Sequence, residues 1–155
     1  MAAVTTTRVS RSLRAPRAAV YRALLDPGAV ARWKVPEGMT CVVHEFDARE
    51  GGTLRVSLTY DEPGPQGKTT AHTDTYRGRF VRLVPDTEVV QAVAFDTDDP
   101  DVRGEMTITY RLEDVPGGTL VTGLHADLPP GVSAAENEVG WTMSLRKLAA
   151  LVERA

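Results

Sequence analysis

From Met39 to Asp127 the chain alternates apolar and polar residues at the two-residue period of half-buried strands, and a single long segment of helical period follows. Leu54, Val56, Leu58 and Tyr60 alternate with Arg55, Ser57 and Thr59, and Met106, Ile108, Tyr110 and Leu112 alternate with Glu105, Thr107, Thr109 and Arg111. Strands of this kind bury one face and leave the other to water, which is the habit of antiparallel sheets. Turn chemistry separates them: Gly51-Gly52, the Pro/Gly loop Asp61 to Lys68, Pro85-Asp86, the acidic loop Asp96 to Asp101, and Pro116-Gly117-Gly118. Strands are therefore expected from Met39, over Leu54 to Tyr60, Thr69 to Val84, Val89 to Phe95, Glu105 to Leu112 and Leu120 to Asp127. In the first of these, Val42, His44 and Phe46 are expected on one face and Cys41, Val43 and Glu45 on the other.

The helices stand apart from this run. Ser133 and Glu136 have the spacing of a capping box, and Trp141, Leu145, Leu148 and Val152 follow at helical spacing, with Leu151 widening the stripe. Near the start, Thr5 to Leu13 reads as a strand. Pro16 suits the first turn of a short helix with Val20, Tyr21, Leu24 and Leu25 on its apolar face. Asp26 and Pro27 suit the cap and first position of a second helix that buries Val30 and Trp33. A strand, two short helices, about six strands and a long helix make an α+β chain, expected as a single domain over residues 1–155. One helix must cover a wide sheet, so the sheet should curve around it, and a curved sheet over one helix leaves room for a cavity.

Composition excludes several functions. A length of 155 residues supports a core without staples. The net charge of -3 provides no global basic field for nucleic acid. A lone cysteine, Cys41, permits neither an intrachain disulfide nor a thiolate metal cluster, and it reads as a small packed hydrophobe. No apolar run approaches the roughly 20 residues of a membrane helix, and Met1 to Ser10 lacks the apolar stretch of a signal peptide. A cytoplasmic protein without membrane insertion is expected.

Arg14-Ala15-Pro16-Arg17, Val20-Tyr21 and Asp26-Pro27-Gly28-Ala29-Val30-Ala31-Arg32-Trp33 resemble the opening signature of the START-like (SRPBCC) superfamily. They are most similar to the branch of the activator of heat-shock protein 90 ATPase homologues. Arg49-Glu50-Gly51-Gly52 resembles that branch's Gly-Gly turn, and His125-Ala126-Asp127-Leu128-Pro129 its last strand. Gly140-Trp141 with Leu145, Leu148 and Leu151 resembles its closing helix. The resemblance runs from about Val9 to Glu153. It implies the START-like helix-grip fold: a curved antiparallel sheet around a long C-terminal helix, two short helices near the N-terminus, and a small-molecule pocket between sheet and helix. It also implies two alternatives, a polyketide cyclase/aromatase-like enzyme and a chaperone ATPase regulator. No residue here argues for chaperone contact.

With one sheet face gripping the helix, polar residues on that face become informative, because a buried polar group needs a partner or a task. His72, Asp74 and Tyr76 share a strand face with Phe80, Gln91 shares one with Val93 and Phe95, and His125 shares one with Val121 and Gly123, although Leu120 and Leu124 pull that last strand the other way. Such groups form either an internally satisfied cluster or an acid–base site, in which His72 or Tyr76 would serve as base. His72, Asp74 and His125 lack the spacing of a metal site, and the loop Asp96 to Asp101 lacks the glycine and closing glutamate of a calcium loop. Nothing calls for a cofactor. Gly140 inside the closing helix costs about 1 kcal/mol relative to alanine. With Asn137 and Ser144 it makes a small polar stripe beside the apolar one, which leaves room either for a ligand or for close approach of a strand or Trp33. Mid-strand Gly123 would leave space on the facing wall. The expected pocket walls are Trp33, Met39, Val56, Leu58, Tyr60, Tyr76, Val93, Phe95, Met106, Ile108, Tyr110, Gly140, Trp141 and Ser144. His72, Asp74, Gln91 and His125 are the polar handles. Such a lining suits a small apolar or aromatic molecule with one or two polar handles; a binding domain is the first expectation and an enzyme the alternative.

Overall fold

The computed structural model describes residues 6–62 and 73–153. In chain order the elements are β1 (Thr7–Leu13), α1 (Arg17–Leu25), α2 (Pro27–Trp33), β2 (Met39–Phe46), β3 (Thr53–Tyr60), β4 (Thr73–Val84), β5 (Glu88–Phe95), β6 (Met106–Val115), β7 (Gly118–Ala126) and α3 (Ala134–Val152). The seven strands form one sheet in the order β1-β7-β6-β5-β4-β3-β2, every pair antiparallel. The sheet curls into a half-barrel with α3 in its concave face, which is the α+β helix-grip architecture expected from the alternation.

Local chemistry explains the element ends. The Ser133 side chain accepts a hydrogen bond from the Glu136 backbone N–H at 3.2 Å and so caps α3. Asp26 caps α2 by accepting from Gly28 N–H at 2.9 Å, with Pro27 in the first turn. Gly117, with φ of +85°, supplies the left-handed residue of the β6–β7 hairpin. The buried face of α3 carries Trp141, Leu145, Leu148 and Val152. Each such side chain contributes roughly 1.5–3 kcal/mol when removed from water, which is what holds the helix in the sheet.

The face assignment in β2 departs from expectation. Its register with β3 shifts between Val43 and Glu45, so a bulge at His44 turns Phe46 to the inner face alongside Cys41 and Val43. Phe46 then packs edge-on to Phe80, with centroids 5.2 Å apart. Val42, 47% exposed, and His44 remain outside. The β4 strand begins at Thr73 among the described residues. The part of it expected from Thr69 to His72 lies outside them, as does most of the loop Asp61 to Lys68.

The two short helices cover one end of the half-barrel. The Trp33 indole N–H donates to the Ala23 carbonyl at 2.9 Å, fixing α2 to α1. Arg17 bonds Asp114 and the Asp86 carbonyl, tying α1 to the end of β6 and to the β4–β5 turn. The space facing the N-terminal half of α3 is left partly unfilled, and that space is the candidate site.

Candidate functional site

A cavity of about 320 Å³ lies between α3 and the inner face of β2 to β7. Register builds its walls. The β3–β4 pairing sets Leu58 beside Asp74 and Val56 beside Tyr76; β4–β5 sets Tyr76 beside Phe95; β5–β6 sets Val93 beside Met106; β6–β7 sets Ile108 beside His125. Trp33, Met39, Leu58, Tyr60, Asp74, Tyr76, Val93, Phe95, Met106, Ile108, Tyr110, His125, Gly140, Trp141 and Ser144 all line it.

Val56 and Gln91 do not. Both point to the inner face, but one layer deeper, where they pack with Leu24, Val30, Phe46 and Leu54 under α2. Their strands pass beneath the short helices at those positions, so the correct face does not bring them to the cavity. His72 lies outside the described residues. The cavity is further lined by Lys34, Pro36 and Glu37 from the α2–β2 connection and by Ser133, Glu136 and Asn137 from the start of α3.

The glycines resolve differently from one another. A Cβ on Gly123 would overlap the Trp141 ring, so the space left on β7 is filled by the indole and not by a ligand. A Cβ on Gly140 would meet only Pro36 Cγ, at 3.5 Å, an ordinary contact. Neither a strand nor Trp33 crowds Gly140, and it faces the cavity.

An aromatic run crosses the cavity floor. Trp33 and Tyr110 meet edge to face at 5.8 Å, and Tyr110 and Trp141 lie 5.3 Å apart. The Trp141 indole N–H donates to His125 Nδ1 at 3.1 Å, and Asn137 Nδ2 lies 3.1 Å from the same nitrogen and donates to Thr7 Oγ1 at 3.0 Å. An indole N–H only donates, so Nδ1 is the acceptor and the proton of neutral His125 sits on Nε2. Nε2 faces Met106 Sδ at 3.1 Å. Burial, assisted by the charge of Lys34, lowers the His125 pKa to about 3. His125 is thus a fixed neutral donor.

Lys34 is the residue the sequence reading passed over. Its ammonium lies 5.2 Å from the Tyr76 ring centroid and 5.7 Å from that of Tyr110, within cation–π range, and 3.5 Å from Gln91 Oε1. Burial lowers its pKa to about 8, partly countered by Cys41. The Tyr76 hydroxyl is buried without a hydrogen-bond partner among the described residues, and burial raises its pKa well above the usual phenol value. Cys41 is buried on β2, its thiol pushed up by burial. Among the described residues no group of His, Cys, Asp and Glu is arranged to hold a metal ion. The acidic loop folds on itself, with Asp99 Oδ1 accepting from Asp101 N–H at 3.0 Å.

The profile of the family described as Activator of Hsp90 ATPase homolog 1-like protein matches residues 14–153. Among solved structures, a protein of Chromobacterium violaceum is 34% identical, the match covering 96% of this chain and 97% of that one with a TM-score of 0.86. A protein of Rhodobacter sphaeroides is 21% identical over 97% of this chain and 93% of that one, with a TM-score of 0.79. One from Arthrobacter aurescens is 14% identical over 97% and 87%, with a TM-score of 0.80. These last two bear on the fold alone. No curated protein matches the chain. The matched span, the relative from Chromobacterium violaceum and the gripped helix together place this chain in the family of Activator of Hsp90 ATPase homolog 1-like proteins, with the START-like fold.

Proposed function

We propose that this domain binds a small apolar or aromatic molecule in the cavity between α3 and the sheet, and that it binds without turnover. The observation that carries the reading is the cavity itself: about 320 Å³, at the lower end of small-molecule sites, with mostly apolar and aromatic walls and a few polar groups. A packed interior does not keep a space of that size without cost, since voids forfeit dispersion contacts.

The polar groups favour binding over catalysis. His125 holds its proton on Nε2 and accepts from Trp141 at Nδ1, so it has no free basic nitrogen to offer. A base role for Tyr76 is opposed by burial, which makes its phenolate costly. Chaperone regulation, which the family description names, is not favoured by the exposed apolar surface among the described residues. The chain's exposed large apolar residues among those described, Val42, Val81 and Val139, sit on three different elements. No helix among the described residues is long and apolar enough to cross a membrane; a cytoplasmic location is our proposal, supported by the lone cysteine's fit to a reducing compartment.

The test is a thermal-shift and dye-displacement screen over aromatic and lipid-like molecules, paired with native mass spectrometry of protein purified from its own host. A retained or stabilising small molecule is the expected result. A pH-dependent turnover of any hit, lost in His72→Ala or Tyr76→Phe, overturns binding without turnover.

A further inference from the structure

The cation on the cavity floor narrows the ligand class. Among the described residues no carboxylate forms an ion pair with Lys34; its ammonium is held by two tyrosine faces and one amide oxygen. An ammonium taken from water without a counter-charge is costly, and ring faces and a single neutral acceptor offset that cost only in part. Trp33 at 2% exposure and Val35 at 6% flank it in the chain, so the backbone at this helix end is anchored on both sides. The α2 end donates the Lys34 N–H to the Val30 carbonyl at 2.9 Å.

Two further groups on the same walls are donors without a full complement of acceptors. The Tyr76 hydroxyl is buried in a residue only 6% exposed and has no hydrogen-bond partner among the described residues. Among the described residues His125 Nε2–H meets only a thioether sulfur, a weak acceptor. Resting on the small-ligand reading above, we propose that the cavity selects an aromatic or apolar molecule carrying one anionic oxygen group, a carboxylate or sulfonate, seated at Lys34 with the apolar body against Trp141, Tyr110 and Met106. An anionic oxygen supplies what the floor lacks: a counter-charge for Lys34 and an acceptor for the neighbouring donors.

The experiment uses two fluorescent probes that share one skeleton and differ in charge. These are 1-anilinonaphthalene-8-sulfonate and N-phenyl-1-naphthylamine, titrated into the intact protein and into Lys34→Met. The wild type should bind the sulfonate at least tenfold more tightly than the neutral amine. Lys34→Met should remove that preference while keeping the neutral probe's affinity, and a circular-dichroism melt verifies that the variant is folded. A second measurement needs no variant. The sulfonate stays ionised throughout, so its affinity for the wild type should fall toward tenfold per pH unit above about pH 8, where Lys34 loses its proton.

The other titratable groups facing this floor are Cys41, Tyr76, Tyr110 and His125, with Asp74, Glu37 and Glu136 on the surrounding walls. Burial raises the thiol and both phenols and lowers the imidazole, so these do not mimic the loss of a cation near pH 8. Equal affinity for the two probes, or a sulfonate preference that survives in Lys34→Met, overturns the anion selectivity and leaves the cavity reading standing. Failure of both probes to bind the wild type at millimolar concentration overturns both.

Discussion

His125 carries the clearest pH signature at the scale of single residues. Its ordinary pKa of 6.5 falls to about 3 in the folded chain, mainly through burial. Above pH 6.5 neither folded nor unfolded chain holds the proton, and the stability contribution of the neutral imidazole is complete. Below 6.5 the unfolded chain takes up a proton that the folded chain refuses, so stability is lost as pH falls toward 3. At about 1.4 kcal/mol per pH unit, the gap amounts to roughly 5 kcal/mol at its limit. His125→Gln keeps an oxygen to accept from Trp141 and an amide to donate, but does not titrate. Its urea unfolding free energy should therefore fall less steeply than the wild type's between pH 6.5 and 4. Parallel curves for the two proteins would remove His125 from the acid response. The inward face of His125, 7% exposed, was left open by the sequence, because Val121 and Gly123 share its face while Leu120 and Leu124 pull the strand the other way. Its tautomer was not legible either, because the indole that fixes it comes from Trp141, sixteen positions along the chain and on another element. Lys34 was hidden for a related reason: a lysine at a helix end is ordinarily a solvated cap neighbour, and only the curl of β4 and β6 brings two tyrosine rings beneath it.

The elements were legible because each carries its own period and its own punctuation. Among the described residues the alternating runs became strands, Gly51, Pro85-Asp86 and Pro116-Gly117 became turns, and Ser133 became the cap of α3. The cap gives a direct test at this scale. Ser133→Ala removes the acceptor for Glu136 N–H and should cost about 1 kcal/mol in chemical denaturation. It should also loosen the first turn of α3, where Ser133, Glu136 and Asn137 border the cavity. An unchanged midpoint would mean that tertiary packing, and not the cap, fixes this helix start. The β2 bulge was not legible, since one extra residue leaves the alternation intact on both sides while reversing the face between them. Gly123 shows a similar limit. A mid-strand glycine announces a close approach, and the approaching group proved to be the Trp141 ring.

For the whole molecule the question is why a chain with enough apolar residues to fill its core leaves about 320 Å³ open. The curl of seven strands is wider than one helix can fill, and α1 and α2 close only one end. At the other end α3 presents Gly140 where a larger residue would fit, its nearest neighbour being Pro36 Cγ at 3.5 Å. Two substitutions separate backbone preference from cavity volume. Gly140→Ala adds only a methyl group, meets no clash and removes the helix penalty of glycine, so it should raise stability by up to about 1 kcal/mol and leave ligand binding intact. Gly140→Leu projects an isobutyl group into the open space. It should hold the fold, raise the melting temperature of the unliganded protein, and abolish the ligand-dependent stabilisation. In the wild type that stabilisation should approach about 2.7 kcal/mol at a hundredfold excess of ligand over Kd. If Gly140→Leu instead unfolds the domain, with Gly140→Ala already destabilised, the space at Gly140 closes in solution. The glycine then serves packing, since overfilling a complete core typically costs about 1–3 kcal/mol. A folded Gly140→Leu that still binds the same ligand with the same affinity would place the ligand somewhere other than this cavity.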